Sequence, residues 1–426
     1  MQIQNKTTPL LLYLMLLSPV ISYFSLKILL FPIGYYFKIF TVFYGIYFII
    51  YYNNKIRIPK YAYFVLLYAI YLFIWSFQNG DFDRRGLLPL IFRNVQLSIF
   101  FIIVIIYNTK FDKTLIDNTI TIFKVIAIMA VAASIVQVIR PDFLNASLSW
   151  NPDMESSAVT ETMYTFRRPS IFGFVDRNED GLSYLPFASV VMGVFLRNKK
   201  RSFFVFGSMV AVTAFLTNYR YIMMSYIILS FQYFAVQKTR IISSIRYFFF
   251  IAVMGIFIFL FIGQMGYNLQ TFYRERLFSE GSINENTRYK AIFNFAHFFP
   301  QKPIFGTGVH LTEEIKEASE SIGSSQIHVG YLSHLVSYGI FGSILLFTFW
   351  FLLARRLYRN AKLTNYWGAF FAFLIYFWAQ TTLVNYSIFF TGLIFAFVFD
   401  KYYLDNYYEY RTKQVSYSQE PVLENI

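Results

Sequence analysis

The 426-residue chain has no cysteine, only four histidines, and 14% charged residues, where soluble domains carry roughly 25%. The missing cysteine excludes disulfides and thiolate metal ligands. His297, His310, His328 and His334 do not fall at a zinc-binding spacing. What fills the chain instead is apolar: 57% hydrophobic residues, with 53 Phe and 35 Tyr. Runs of about 18 or more such residues recur, each long enough to cross a bilayer as a helix, and one soluble core could not hide them all.

The expectation is therefore an all-α polytopic transmembrane bundle. Apolar runs place about twelve spans near 10–30, 33–52, 61–78, 88–107, 115–139, 178–196, 202–217, 221–236, 245–263, 328–354, 365–383 and 386–403. The first run is too long for a signal-peptide core and lacks a small-residue cleavage site, so it reads as a retained span. Residues 1–404 then form one integral membrane domain, and the mixed-charge tail 405–426 is expected to be disordered.

Net charge is +14, which raises the question of nucleic acid. The basic residues, however, sit mostly in short loops. Loops 53–60, 108–114, 197–201, 237–246 and 355–363 carry sixteen Lys and Arg, against three in 79–87, 218–220 and 384–385. That asymmetry is the positive-inside signal, which makes the first set cytoplasmic, together with both termini. Lys27, Lys38 and Lys124 lie within apolar runs and read as snorkelling, Lys124 being the deepest.

Two long segments then face outward. The first, 140–177, is rich in Pro, Asn, Asp and Ser. The second, 264–327, lies between spans nine and ten. Inside it, Asn284–Thr287 can cap a helix from Arg288 to Phe298, stopped by Pro300 and Pro303, and a second short helix fits 312–319. Outward arginines call for an account, among them Arg84, Arg85, Arg274 and Arg276. Arg220 stands out in the turn Asn218-Tyr219-Arg220 between two apolar runs. Its guanidinium suits either bidentate binding of a phosphate or anchoring at the interface. Arg168, Arg177 and Asn178 cluster before the sixth span, where they suit an extramembrane head-group site or, for Asp176 and Asn178, a helix cap. His328 precedes a long apolar run, where an imidazole can serve as general base or structurally. His334, six residues on, falls on another helical face.

From Arg288 onward these elements form a pattern. Arg288 opens a helix, Pro303 leads Gly306-Thr307-Gly308, and a polar interval ends at His328 and Leu332. Gly339 and Gly342 follow eleven and fourteen residues after the histidine. The pattern resembles the O-antigen ligase and O-antigen polymerase family of bacterial membrane glycosyltransferases. Thr217–Arg220 resembles an upstream Thr-x-Ser-Arg element, and Arg168–Asn178 a looser Arg-Ser-Gly-Phe-Asn element. Val329 stands where the family has Asn, and Tyr219 where it has Ser.

The resemblance implies a metal-independent membrane enzyme without cofactor, in the bacterial inner membrane, with its site facing the periplasm. The donor would be a glycan on undecaprenyl pyrophosphate; the acceptor, a second glycan or a lipid A core. It implies catalytic roles for His328, Arg220 and Arg288, and substrate binding by Arg168, Arg177, Asn178, Gly306, Gly308 and Tyr331. The aromatic spans would line a groove for the polyprenyl chain, and a chain-length regulator is an expected partner. The altered His-Val pair favours an O-antigen polymerase over a ligase in lipopolysaccharide biosynthesis. A flippase or ion-coupled transporter of lipid-linked glycans is the alternative of another class.

Overall fold

The computed structural model describes residues 7–17, 36–52, 55–78, 95–139, 178–217, 220–236, 287–308, 330–379 and 392–418. The expected span 245–263 and loop 140–177 lie outside the described residues. Among those described, regular structure is helical: α1 (Thr7–Leu17), α2 (Tyr36–Tyr51), α3 (Lys60–Gln78), α4 (Val95–Asn108), α5 (Lys113–Ile139), α6 (Asn178–Asn198), α7 (Lys200–Thr217), α8 (Arg220–Val236), α9 (Thr287–Phe298), α10 (Gly330–Thr364), α11 (Gly368–Ala379) and α12 (Gly392–Ser418). A helix satisfies its own backbone polar groups, which is what lipid requires of a spanning segment. Lys60–Gln78, Lys113–Ala132 and Gly330–Thr364 are long and apolar enough to cross a membrane, the last counted through its bend at Gly339. Five other described helices are apolar but shorter.

α6 lies at the centre, packed by α11, α12, α7 and α8, while α3 packs between α10 and α4. Aromatic rings do much of the filling. Phe123 of α5 meets Phe187 of α6 edge-on at 5.5 Å, and Phe187 meets Phe395 of α12 at 5.6 Å. Such edge-to-face pairs add stabilisation beyond their buried area. Lys124, beside Phe123, places its ammonium over the Phe195 ring at 5.7 Å.

One end of the bundle is polar and tightly tied. Asn108, at the end of α4, accepts from the Arg57 amide at 2.8 Å and donates to the Arg57 carbonyl at 2.9 Å. Asp112 caps α5 through the Leu115 amide at 3.0 Å. Arg356 of α10 donates to the Tyr61 hydroxyl of α3, and its guanidinium lies 5.0 Å from the Tyr61 ring and 5.2 Å from that of Tyr107. Asn360 donates to the buried Asp400 carboxylate of α12 at 2.7 Å. The charged segments 55–60, 108–114 and 355–363, the last of them the helical end of α10, are thus brought together at one end.

Two expectations change. The tail beyond Asp405 is helical to Ser418 rather than disordered. Lys401 pairs with Asp405 one turn on, and Lys110 with Glu409, so local and tertiary contacts support a stretch that its polarity alone would leave unstructured. The Glu409 carboxylate holds the Lys110 ammonium above its ordinary pKa.

The second change concerns the expected span 328–354. α10 is two helical arms joined at Gly339, whose φ of 63° and ψ of −171° are non-helical. The arms fold back on each other. Tyr331 lies 6.1 Å from Phe347 and 6.0 Å from Trp350, ring to ring. Residues sixteen apart on a continuous helix would be separated by about 24 Å along the axis. The short arm, 330–338, therefore runs back down the long arm as a helical hairpin.

Candidate functional site

The hairpin needs backbone partners at its bend. A helix break leaves carbonyls at the end of one arm and amides at the start of the next without helical partners. The segment 302–308, which follows α9 and a short 3-10 turn (Phe299–Gln301), supplies them. The amides of Thr307 and Gly308 donate to the carbonyls of Val336 and Ser337 at 2.8 and 2.9 Å. In return, Ile340 and Phe341 donate to the carbonyls of Pro303 and Ile304 at 2.9 and 3.0 Å. The Gly306 amide closes its own turn on the Lys302 carbonyl at 2.8 Å.

Glycine is needed at both contacting points. Gly306 has φ 83°, and a Cβ there would stand 2.5 Å from the Tyr338 amide nitrogen. Gly339 has φ 63°, and its Cβ would stand 2.6 Å from the Phe305 nitrogen. Positive φ is nearly free only for glycine, and here there is no volume for a side chain either. The Gly-x-Gly turn and the glycine eleven residues after the histidine are thus one clamp, seen from its two sides.

The clamp also anchors α9. Phe298 and Val336 bury each other, with Phe295 and Phe299 packed around them. This ties the helix carrying Arg288 to the short arm that begins at Gly330. The expected helix Arg288–Phe298 is realised as Thr287–Phe298; the one at 312–319 lies outside the described residues.

The sequence-derived residues are placed as follows. Arg220 is the first residue of α8, Arg288 the second of α9 and Asn178 the first of α6. Gly306 and Gly308 lie in the clamp with their amides given to protein carbonyls. Tyr331, on the short arm, donates its hydroxyl to the Phe377 carbonyl of α11. His328, Val329, His310, Arg168 and Arg177 lie outside the described residues, and so does any convergence of the arginines with His328.

Sequence reasoning missed the neighbours of the hairpin. His334 is buried on the short arm, with the Tyr68 hydroxyl of α3 at 3.2 Å from its ring nitrogens and the Tyr338 ring at 4.9 Å. Tyr68, Tyr71 and Trp75 make one stripe on α3. Their spacing of three and four residues was a visible signal, but among 35 Tyr and 53 Phe it does not stand out.

By its helices, then, the chain is an all-α protein with segments suited to membrane insertion, holding a clamped hairpin. Residues 203–347 match the family model described as O-antigen ligase. The match bears out the family resemblance carried by the motifs. It contains Arg220, α9 with Arg288, the clamp, His328 and the short arm, and leaves out Arg168, Arg177 and Asn178. No curated protein matches the chain. The family is one of membrane-embedded, glycosyltransferase-like enzymes that use lipid-linked glycans.

Proposed function

We propose that this protein is an O-antigen or surface-polysaccharide polymerase of the inner membrane. It transfers a glycan from undecaprenyl pyrophosphate to a hydroxyl of an acceptor glycan at the periplasmic face. The observation that carries the reading is the clamp. It fastens α9, with Arg288, to the hairpin arm that follows His328, inside the segment that matches the family. His328 is two residues ahead of Gly330, so chain connectivity alone keeps their Cα atoms within about 7 Å.

In the reaction, the acceptor hydroxyl oxygen bonds to the anomeric carbon of the donor. The bond from that carbon to the pyrophosphate oxygen breaks, and the pyrophosphate leaves on its polyprenyl carrier. His328 takes the hydroxyl proton. Arg220 and Arg288 offset the charge developing on the leaving phosphates through fork-shaped donors, and Arg168 and Arg177 help to bind the anionic donor. Asn178 and Tyr331 help to bind the glycans. The basic, tightly tied end of the bundle supports a cytoplasmic placement for that end, with both termini there. The clamp, near the opposite end of α3, then faces the periplasm.

The description of the matched family favours a second reading, transfer of the glycan to a lipid A core. Two measurements separate them. Arg220→Ala, Arg288→Ala and His328→Ala should each leave a membrane-inserted protein that makes no long polymer on a gel ladder. Wild-type ladders from all three would sink the assignment. In a deletion strain, core capped with a single repeat unit indicates a polymerase; loss of all capping indicates a ligase.

A further inference from the structure

We infer that Tyr71, on α3 and outside the segment matching the family, is a positioning residue for this site, an inference that rests on the glycosyl-transfer reading above. Its hydroxyl lies 2.8 Å from the Phe305 carbonyl on the clamp and 2.8 Å from the Tyr338 carbonyl at the end of the short arm. One phenolic proton is therefore shared between the two strands of backbone that meet at the bend. Its ring reaches this place because residue 342 is glycine: a Cβ there would stand 2.6 Å from a Tyr71 ring carbon. Phe341 packs edge-on against the same ring at 5.2 Å. Trp75, one turn along, stacks on Tyr71 at 6.4 Å and covers Phe305 at 5.5 Å.

These contacts give Tyr71 a role that packing alone would not. The Phe305 carbonyl lies on the segment that follows α9 and Arg288. The Tyr338 carbonyl lies on the arm that follows His328. A hydroxyl bonded to both sets the offset between them, and with it the distance across which the leaving pyrophosphate and the attacking hydroxyl are held. The Tyr71→Phe substitution removes only the hydroxyl and keeps the ring in the space that Gly342 leaves.

The experiment uses the full-length protein, purified, with polyprenyl-pyrophosphate-linked repeat units isolated from a strain lacking it. Tyr71→Phe should keep wild-type yield and a cooperative melt. It should lower kcat about tenfold, with KM for the donor within about twofold. Tyr63→Phe, on the exposed side of the same helix, should change neither. In parallel, Phe305→Cys and Phe341→Cys, whose rings lie 6.2 Å apart, are paired in a chain that has no other cysteine. Their disulfide should form more slowly when Tyr71→Phe is added.

An unchanged kcat in Tyr71→Phe overturns the positioning role, whatever the cross-linking shows. A wild-type protein that transfers no glycan overturns the reading of function instead. The cross-linking rate then decides alone whether the Tyr71 hydroxyl holds the two segments in place: slowed supports it, unchanged overturns it.

Discussion

Gly306 and Gly339 each occupy the place where the other's segment leaves no room for a Cβ. Gly306 lies against the Ser337–Tyr338 backbone, and Gly339 against Ile304–Phe305. Four backbone hydrogen bonds between 303–308 and 336–341 surround the pair. Two glycines 33 positions apart in sequence are thus a single structural unit.

Alanine at either position meets both positive φ and occupied space. Gly306→Ala and Gly339→Ala should each destabilise the fold by about 2–3 kcal/mol, and less than additively when combined, because both break the same clamp. Thermal unfolding in detergent measures this. A Tm equal to wild type in either single variant would contradict the clamp.

The hairpin itself is open to direct chemistry. With no native cysteine, the pair Tyr331→Cys and Phe347→Cys reports on one geometry only. The side chains they replace have ring centroids 6.1 Å apart, whereas a continuous helix would hold them about 24 Å apart. Oxidation followed by mass spectrometry of the linked peptides should recover the disulfide in high yield. Its absence would mean that α10 is straight.

At the far end, Asp400 is a buried carboxylate that accepts from Asn360 at 2.7 Å, with Arg356 on the neighbouring turn. Removing the amide leaves a buried charge short of a donor. Asn360→Ala should cost roughly 1–3 kcal/mol, while Asn360→Ala combined with Asp400→Leu should recover part of that loss, since an apolar pair has no desolvation to offset. A double variant less stable than Asn360→Ala alone would refute this account.

Much of the architecture was legible in the chain because the bilayer permits few solutions. Apolar runs gave helices α2 to α8 and α11 close to their expected places, α12 runs fifteen residues past its expected end, and the Pro300–Pro303 stop gave α9. The bend at Gly339 was not legible. Glycine is common in membrane helices, so the run through Leu332, Ile340 and Leu345 reads as continuous. What makes Gly339 a bend is the docking of residues 303–308, a contact between segments that no local pattern records. The glycine motif shows its structural part only in the fold, where the amides of Gly306, Thr307 and Gly308 are all held by protein carbonyls. Tyr71 was hidden for a different reason: its value lies in one hydroxyl, and tyrosines in this chain are too many to single out. The helical tail was masked by its polarity, which hides the one-turn spacing of Lys401 and Asp405.

α12 has 27 residues, a rod of about 40 Å, which exceeds the roughly 30 Å of a bilayer's hydrocarbon layer. Its distal part is fastened to the neighbouring α4–α5 connection by Lys110 and Glu409. A helical fusion partner continued in register from Ser418 would therefore inherit the bundle's orientation rather than swing on a tether. Such a graft would give a small, largely apolar helical particle a fixed external landmark for image alignment, so that the clamp and hairpin could be visualised directly.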